Sequence, residues 1–167
     1  AYNHTLYAKW NINTYLVTFK DYDGKVLDTQ KVNHGRYAIA PSDITRTGHT
    51  FTGWDRAFTN VTSDLTITAQ YIINTYTVSF ESNGGNVVSA LTDVKYDSKI
   101  TKPADPSKTG FTFVGWYKQA RLTDEWDFST DKIASDTILY AKWNAPLGPA
   151  GGYIFYDKGE YSDGWRY

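Results

Sequence analysis

Two copies of one aromatic segment set the strongest constraint on how this chain can fold. Residues 110–116 read Gly-Phe-Thr-Phe-Val-Gly-Trp, and residues 48–54 read Gly-His-Thr-Phe-Thr-Gly-Trp. The residues that flank the two copies match as well, so the chain contains a repeated unit. Each copy must therefore fold into the same small structure, and every other element has to be assigned within that unit.

A second recurring segment marks where each unit ends. Residues 5–10 read Thr-Leu-Tyr-Ala-Lys-Trp, and residues 138–143 read Ile-Leu-Tyr-Ala-Lys-Trp. Residues 66–71, Thr-Ile-Thr-Ala-Gln-Tyr, are a weaker middle copy. These copies predict three parts: the last strand of a truncated preceding repeat at 1–10, repeat one at 11–72 and repeat two at 73–143.

The composition changes after the second repeat. Residues 144–152 are rich in Pro, Gly and Ala and are predicted to form a linker. Residues 153–167 are too few to bury a core, so they are predicted to start a further truncated domain. The chain has no Met and no signal-peptide pattern at its start, and we expect it to be a piece of a longer protein.

Hydrophobic periodicity predicts β-strands in both repeats. Tyr76, Val78 and Phe80 alternate with polar residues, and the closing segments alternate in the same way. A period of two marks a strand with one buried face. Residues 21–24 and 82–85 contain the Gly, Asn and Asp that are typical of hairpin turns, so the first two strands of each repeat are predicted to form a hairpin.

Proline positions decide the character of the middle of each repeat. Pro103 and Pro106 lie close together in residues 97–110, and Pro41 lies in residues 35–48. Because proline interrupts a helix, these segments are predicted to be irregular crossovers with at most one short helix. Each unit therefore follows the order ββ-crossover-ββ, and the predicted fold class is mostly β, built from small α+β units.

The spacing of aromatic residues in the third strand raises the question of which way they face. Phe113 and Trp116 differ by an odd number of positions, so a regular strand would place them on opposite faces. A β-bulge at Gly115 would turn both toward the core; without it, Trp54 and Trp116 would face solvent or a neighbouring repeat. We predict that Trp116 and Trp143 are core residues, because so small a unit needs large buried side chains.

The connection from Trp116 to the closing strand of repeat two is longer than the connection from Trp54 to the closing strand of repeat one. The additional length contains Tyr117, Trp126 and Phe128. We predict a longer loop or an added hairpin whose aromatic side chains fold back on the sheet. Because flat aromatic rings can also stack on sugars, Tyr117, Trp126 and Phe128 are the candidate ligand-binding residues.

No pattern of metal-binding residues stands out in the sequence. Asp21, Asp23 and Asp28 hint at a calcium loop, but a calcium loop of the EF-hand type needs a further ligand and a closing Glu, so a hairpin turn is favoured. The chain has no Cys. The three histidines are scattered without the spacing of a metal site: His4, His34 and His49.

Catalytic patterns are equally weak. Asp124, Glu125 and Asp127 form a small acidic group, and paired carboxylates can cleave glycosidic bonds. In an exposed loop, however, such carboxylates are usually solvated charge. Serine and threonine are abundant, but no nucleophile elbow or partner histidine accompanies them. We therefore predict no catalytic residue, no metal site and no cofactor, and we do not expect an enzyme.

Charge and hydropathy exclude two further classes of protein. The chain has 17 Lys and Arg against 18 Asp and Glu, without clustering of either sign. No nucleic-acid partner is therefore expected. The longest apolar runs are only a few residues long, so membrane insertion is not expected either. With 41% hydrophobic and 17% aromatic residues, the chain is too apolar to be disordered.

Taken in order, these motifs resemble the Listeria–Bacteroides repeat, also called the internalin B-type repeat. Repeat two carries the better match, and repeat one departs from it with Asp-Tyr-Asp-Gly at 21–24. The matching motifs of repeat two are Tyr-x-Val-x-Phe at 76–80, Asn-Gly-Gly at 83–85, Thr-Gly-Phe-Thr-Phe-Val-Gly-Trp-Tyr at 109–117 and Thr-Ile-Leu-Tyr-Ala-Lys-Trp at 137–143. Residues 148–167 are similar to the start of another domain of bacterial surface proteins.

The resemblance implies tandem β-grasp-like (ubiquitin-like) repeats, carried on secreted or cell-surface bacterial proteins. It implies a non-catalytic role in adhesion or in protein or glycan interaction outside the cell. The implied partners are a host or matrix protein, or a glycan, together with neighbouring repeats of the same chain. Two alternatives stay open: a structural stalk or spacer that presents another domain, and an accessory carbohydrate-binding module of an exported enzyme.

Overall fold

The chain folds into two separate units of β-structure, Ala1–Ile73 and Asn74–Tyr167. The computed structural model describes residues 2–42, 44–146, 155–157 and 160–162. Those residues form strands and turns and no helix, so the mostly-β prediction is confirmed, and the short helix allowed for the crossovers does not form there. The strands are β1 (Thr14–Lys20), β2 (Val26–Asn33), β3 (His49–Trp54), β4 (Leu65–Ile73), β5 (Thr75–Glu81), β6 (Leu91–Lys95), β7 (Thr112–Tyr117), β8 (Thr137–Asn144), β9 (Phe155–Asp157) and β10 (Glu160–Ser162).

Each repeat forms one four-stranded mixed sheet with the same topology. The strand orders are β2-β1-β4-β3 and β6-β5-β8-β7. The first two strands pair antiparallel as a hairpin, and the first and last strands pair parallel in the middle of the sheet. Because a parallel pair requires a crossover between its strands, the irregular segments after β2 and β6 supply it. The predicted order ββ-crossover-ββ is confirmed.

The core of each repeat lies between one face of its sheet and its crossover. The crossovers contribute Ala38 to the first core and Ile100 to the second, and both side chains are buried. The remaining core residues come from the strands and from the connection before the last strand. They are Val17, Phe19, Val32, Val61 and Ile67 in repeat one, and Val78, Trp116, Trp126, Ile133, Leu139 and Ala141 in repeat two.

A β-bulge in the third strand determines which way its aromatic residues face. The register of β7 against β8 shifts between Phe113 and Gly115, so Val114 is the extra residue. Trp116 is 1% exposed, and Phe113 packs partly buried against the same core. The bulge predicted at Gly115 is therefore confirmed, and β3 has the equivalent shift in repeat one. An extra residue reverses the alternation of the strand, so both rings reach the core.

The bulge aligns four aromatic rings, which we call the aromatic ladder. The ring centroid of Trp116 lies 4.9 Å from that of Phe80 and 5.5 Å from that of Phe113. Phe113 in turn lies 5.4 Å from Trp143. All contacts are edge-to-face, and each such pair contributes about 0.5–1.5 kcal/mol beyond the burial of its rings. The ladder of repeat one has spacings of 4.8, 5.5 and 5.7 Å between Phe19, Trp54, Phe51 and Tyr71.

The last ring of each ladder is tied to the first hairpin turn of its repeat. Trp143 Nε1 donates a hydrogen bond to the Ser82 carbonyl at 2.8 Å. Gly85 lies against that ring, and a Cβ there would be 2.6 Å from it. In repeat one, the Tyr71 hydroxyl donates to the Asp21 carboxylate at 2.9 Å. Burial, and then this hydrogen bond, raise the pKa of Tyr71 to about 12.

An aspartate before each closing strand fixes the start of the central strand pair. Asp64 Oδ1 accepts a hydrogen bond from the Leu16 amide at 2.8 Å, and Asp136 Oδ1 accepts one from the Thr77 amide at 2.8 Å. These two bonds occupy equivalent places in the two sheets. The repeats therefore share side-chain hydrogen bonds as well as topology.

The described residues at the N-terminus form no strand. In residues 2–13, Leu6 is 93% exposed and Trp10 is 87% exposed. The closing strand of a complete repeat lies between two other strands, and the described residues provide neither neighbour for residues 5–10. Residues 2–10 are therefore neither helical nor paired onto a sheet edge, and their assignment to the end of a preceding repeat stays a prediction.

The C-terminal predictions fall largely outside the described residues. Only residues 144–146 of the linker predicted at 144–152 are described. Of the domain predicted at 153–167, only the backbones of β9 and β10 are described, and these two strands pair antiparallel. Elsewhere in the described ranges, no helix has the length and apolar character needed to cross a membrane.

We expect Asp136→Ala to lower the free energy of unfolding of the second unit by about 0.5–1.5 kcal/mol, because the Thr77 amide loses its acceptor. Urea unfolding, followed through the NMR signals of residues 75–144, measures the change. Asp136→Asn is the matched control, since its amide oxygen can still accept the hydrogen bond. Equal losses in the two variants would contradict a role for the hydrogen bond itself.

Candidate functional site

The longer connection of repeat two folds back onto the edge of its sheet. The Trp126 amide donates a hydrogen bond to the Trp116 carbonyl at 2.8 Å, and the Lys118 amide donates one to the Asp124 carbonyl at 2.8 Å. Residues 124–126 thus pair antiparallel with the end of β7. The prediction that this connection folds back on the sheet as an added hairpin is confirmed.

A lysine holds the two arms of this connection together. Lys118 Nζ lies 3.0 Å from Asp131 and 3.5 Å from Asp124. The hydrogen bond to Asp131, and the nearby charges, raise the pKa of Lys118 above its usual value. Asp131 also accepts a hydrogen bond from the Asp127 amide at 2.8 Å. The conformation of the connection therefore rests on a network of charged groups at the surface.

Asp127 fixes the turn that follows the buried tryptophan. Its carboxylate accepts hydrogen bonds from the Ser129 amide at 2.7 Å, the Ser129 hydroxyl at 2.6 Å and the Thr130 hydroxyl at 2.8 Å. These bonds stabilise the ionised form and lower the pKa of Asp127 to about 2. The turn therefore depends on an ionised carboxylate.

The structure places the three candidate ligand-binding residues in two different settings. Trp126 is 7% exposed and belongs to the core, and Phe128 is partly buried against it with a ring centroid 6.5 Å from that of Trp126. Tyr117 is also 7% exposed, and the Lys142 ammonium lies 4.8 Å from its ring centroid. Trp126 and Phe128 come together, and Tyr117 lies apart from them. Their role in ligand binding stays a prediction.

Trp126 and Phe128 form one wall of a cleft of about 560 Å³ beside β7, which we call the edge cleft. β7 is the outermost strand of its sheet. The cleft opens where the pairing of residues 124–126 with this strand stops. Its lining comprises Lys102, Val114, Gly115, Trp116, Glu125, Trp126, Asp127, Phe128 and Ser129.

Gly115 has a second role at the edge cleft. A Cβ at this position would lie 2.5 Å from Glu125 Oε1, so a larger residue would displace that carboxylate from its place over the strand. The sequence predicts the bulge at Gly115, but it gives no signal that links Gly115 to Glu125, because the contact arises only after the connection folds back. The sequence also contains no motif that indicates a place in the edge cleft for Lys102, which comes from the crossover.

The wall of the edge cleft is aromatic, and its rim carries carboxylates. Among the described residues, Trp116 Nε1 and Trp126 Nε1 are buried without a hydrogen-bond partner. Glu125 and Asp127 bring negative charge to the rim. Lys102 is the basic residue of the lining, and its ammonium lies 2.6 Å from Asp105. The arrangement offers apolar contact and carboxylate acceptors.

Backbone hydrogen bonds close the turn after β1. Gly24 donates a backbone hydrogen bond to Asp21 at 3.0 Å, and Asp21 donates one to Lys25 at 2.8 Å. The hairpin turn favoured by the sequence is confirmed. In the part of the chain that the structure describes, no group of three or more His, Asp or Glu residues could hold a metal ion.

Two further clefts lie among the described residues of repeat one. One, of about 430 Å³, lies beside β2 and includes Tyr37 and Ile39. The other, of about 460 Å³, lies between Ile12 and the end of β2. Neither contains a residue that the sequence singles out as a candidate for binding.

A family model matches most of the chain. The model for the Listeria-Bacteroides repeat domain matches residues 15–74 and again residues 76–142. Each range coincides with one of the two four-stranded sheets except for one or two residues at the ends. The resemblance found in the sequence motifs is therefore confirmed for two tandem copies.

Two similar proteins show the context in which such repeats occur. One is named "Putative membrane protein", from Evansella cellulosilytica, and is 41% identical over 149 residues, which cover 83% of this chain and 22% of that protein. The other is Internalin H of Listeria monocytogenes, 35% identical over 141 residues, which cover 77% of this chain and 25% of that protein. The chain thus spans a quarter or less of the length of these relatives.

We expect Trp126→Ala to lower the free energy of unfolding of the second unit by about 3–5 kcal/mol, because it removes a large core side chain. Urea unfolding monitored by NMR measures the loss. Val87→Ala is the control, since Val87 is 89% exposed and its truncation should change stability by less than about 0.5 kcal/mol. An equally small effect of Trp126→Ala would contradict the burial of this residue.

We expect the Asp127 carboxyl group to stay ionised at pH 3. Its pKa is lowered in the folded state, so its contribution to stability is complete above the usual value of 3.8 and is lost as the pH falls through about 2. Between pH 6 and pH 3 the 13C shift of its carboxyl carbon should change by only about a tenth of its full titration range. Ser129→Ala removes one donor and should raise the titration midpoint; a midpoint near 4 in the unmodified chain would refute the turn geometry.

Proposed function

The chain belongs to the Listeria–Bacteroides repeat domain family, and from this premise we propose that it is a non-catalytic interaction module of a bacterial cell-surface or secreted protein, mediating adhesion. Internalin H and a protein named as a membrane protein carry similar segments. The chain covers a quarter or less of each, so the activity and the anchoring of a whole protein of this kind are part of the proposal.

The proposal rests on the structural roles of the polar side chains. Asp64 and Asp136 hold the central strand pairs, Lys118 holds the longer connection, and Asp127 holds a turn. An active site needs polar groups that converge on a reacting atom. Here these four side chains keep each repeat folded, which suits a module that presents surface for binding.

A structural spacer is the second candidate, and the connection between the repeats favours it. β4 ends at Ile73 and β5 begins at Thr75, so Asn74 alone connects the two sheets. The Asn74 carbonyl accepts a hydrogen bond from the Tyr96 amide at 2.9 Å. A connection this short suits tandem repeats that serve as a spacer for another domain. An accessory carbohydrate-binding module has less support, because Tyr117 and Trp126 are buried.

A solid-phase binding assay tests the adhesion proposal. The chain is applied to a panel of immobilised extracellular-matrix proteins and glycans, with albumin-coated wells and the heat-unfolded chain as controls. We expect saturable binding of the folded chain to at least one matrix protein. Binding to glycans alone would favour the carbohydrate-binding alternative. Binding no stronger than to albumin would reject adhesion and leave the spacer.

Trp126→Ala is unsuitable as a control in this assay, because it would remove a core side chain. Exposed positions are better controls, and Glu125→Gln keeps the size of the side chain while it removes one charge from the edge cleft. This variant also separates binding through the edge cleft from binding elsewhere on the chain.

A further inference from the structure

We propose that the edge cleft binds a basic side chain, lysine or arginine, of an extended peptide segment from a protein partner. This inference rests on the proposed interaction function and deepens it, since it names the site and the chemistry of the ligand. It draws on the open edge of β7, on the charge of the cleft and on the burial of its aromatic residues.

The open edge of β7 supplies the backbone part of the site. In the described residues, β7 pairs with β8 on its inner side, and its outer side is bridged at Tyr117 by Glu125. No strand covers the outer side of residues 112–115 there. An extended peptide can add to such an edge through main-chain hydrogen bonds. It would run alongside Val114 and Gly115, which line the edge cleft.

The charge of the edge cleft selects the side chain that such a peptide inserts. Glu125 and Asp127 contribute two negative charges. The Asp127 carboxylate already accepts hydrogen bonds from Ser129 and Thr130, whereas the Glu125 carboxylate, which lies against Gly115, makes no hydrogen bond or ion pair within the described residues. Lys102 does not offset them, because its ammonium is engaged by Asp105 at 2.6 Å. A guanidinium or ammonium group would complete the cleft through charge-assisted hydrogen bonds.

Burial of the aromatic residues favours a peptide over a sugar. A pyranose ring stacks on the open face of an aromatic side chain, but Tyr117 and Trp126 are each only 7% exposed. Phe128 is partly buried against the core. These residues give the cleft an apolar wall that suits the methylene groups of a lysine or arginine side chain.

Repeat one serves as an internal comparison. There Asp55 follows β3 directly and accepts a hydrogen bond from the Thr68 amide at 2.8 Å. The Asp55 amide donates to the Thr68 carbonyl at 2.9 Å. β3 is thus hydrogen-bonded to β4 at this point, and no described segment of repeat one pairs with its outer edge there. The longer connection of repeat two is what builds the edge cleft.

Two synthetic peptides test the inference on the full chain. One has seven residues that alternate valine with arginine, and the other alternates valine with glutamate. We expect the arginine peptide to shift the NMR amide signals of Val114 and Gly115 and the indole signal of Trp126. The glutamate peptide should leave them unchanged. Equal shifts with both peptides, or none with either, would overturn the proposal, as would the same shifts with methyl glycosides alone.

A pair of charge variants assigns the binding to the edge cleft. Glu125→Gln should weaken binding of the arginine peptide about tenfold, because a charge-assisted hydrogen bond becomes a neutral one. Asp93→Asn removes an exposed carboxylate from the same repeat outside the cleft, and it should leave the affinity unchanged. Equal affinity in the unmodified chain and in Glu125→Gln would refute the assignment.

The two proposals can fail separately. Binding to a matrix protein that is unaffected by Glu125→Gln would leave adhesion standing and reject the edge cleft as its site. Binding of the arginine peptide without binding to any matrix protein would support the site and reject adhesion to matrix.

Discussion

The β-bulge in the third strand is the constraint on which each repeat depends. One extra residue, Val114 in repeat two, reverses the alternation of the strand. It brings Phe113 and Trp116 to the same face, where they join the aromatic ladder. The ladder in turn reaches the first hairpin through Trp143 and Ser82. In a unit this small, with no helix among its described residues, these rings supply a large part of the buried surface.

The bulge also shapes the edge of the sheet against which the longer connection packs. Gly115 leaves space for Glu125, and the strand continues to Tyr117, where the returning segment pairs with it. Trp126 then enters the core. The two repeats therefore share one scaffold, and the insertion in repeat two adds both core and a cleft at the sheet edge. Differences in function between such repeats would follow from this connection.

Much of the fold follows from the sequence, because the constraints are local. The period of two, the turn residues and the odd spacing of Phe113 and Trp116 predict the strands, the hairpins and the bulge. The candidate site is less predictable from the sequence. Trp126 and Phe128 were identifiable as inserted aromatic residues, but their burial depends on the network around Lys118. Glu125 and Gly115 lie on different segments, so no local sequence pattern predicts their contact.

The longer connection of repeat two is built into the core of its unit and is not displayed as a loop. Hydrogen exchange of the indole N–H groups tests it most directly, since buried groups exchange slowly. Trp126 Nε1, like Trp116 Nε1, is buried, whereas Trp10 is 87% exposed. We expect the indole N–H of Trp126 to exchange slowly, at a rate comparable to that of Trp116. Exchange of Trp126 as fast as that of Trp10 would contradict it.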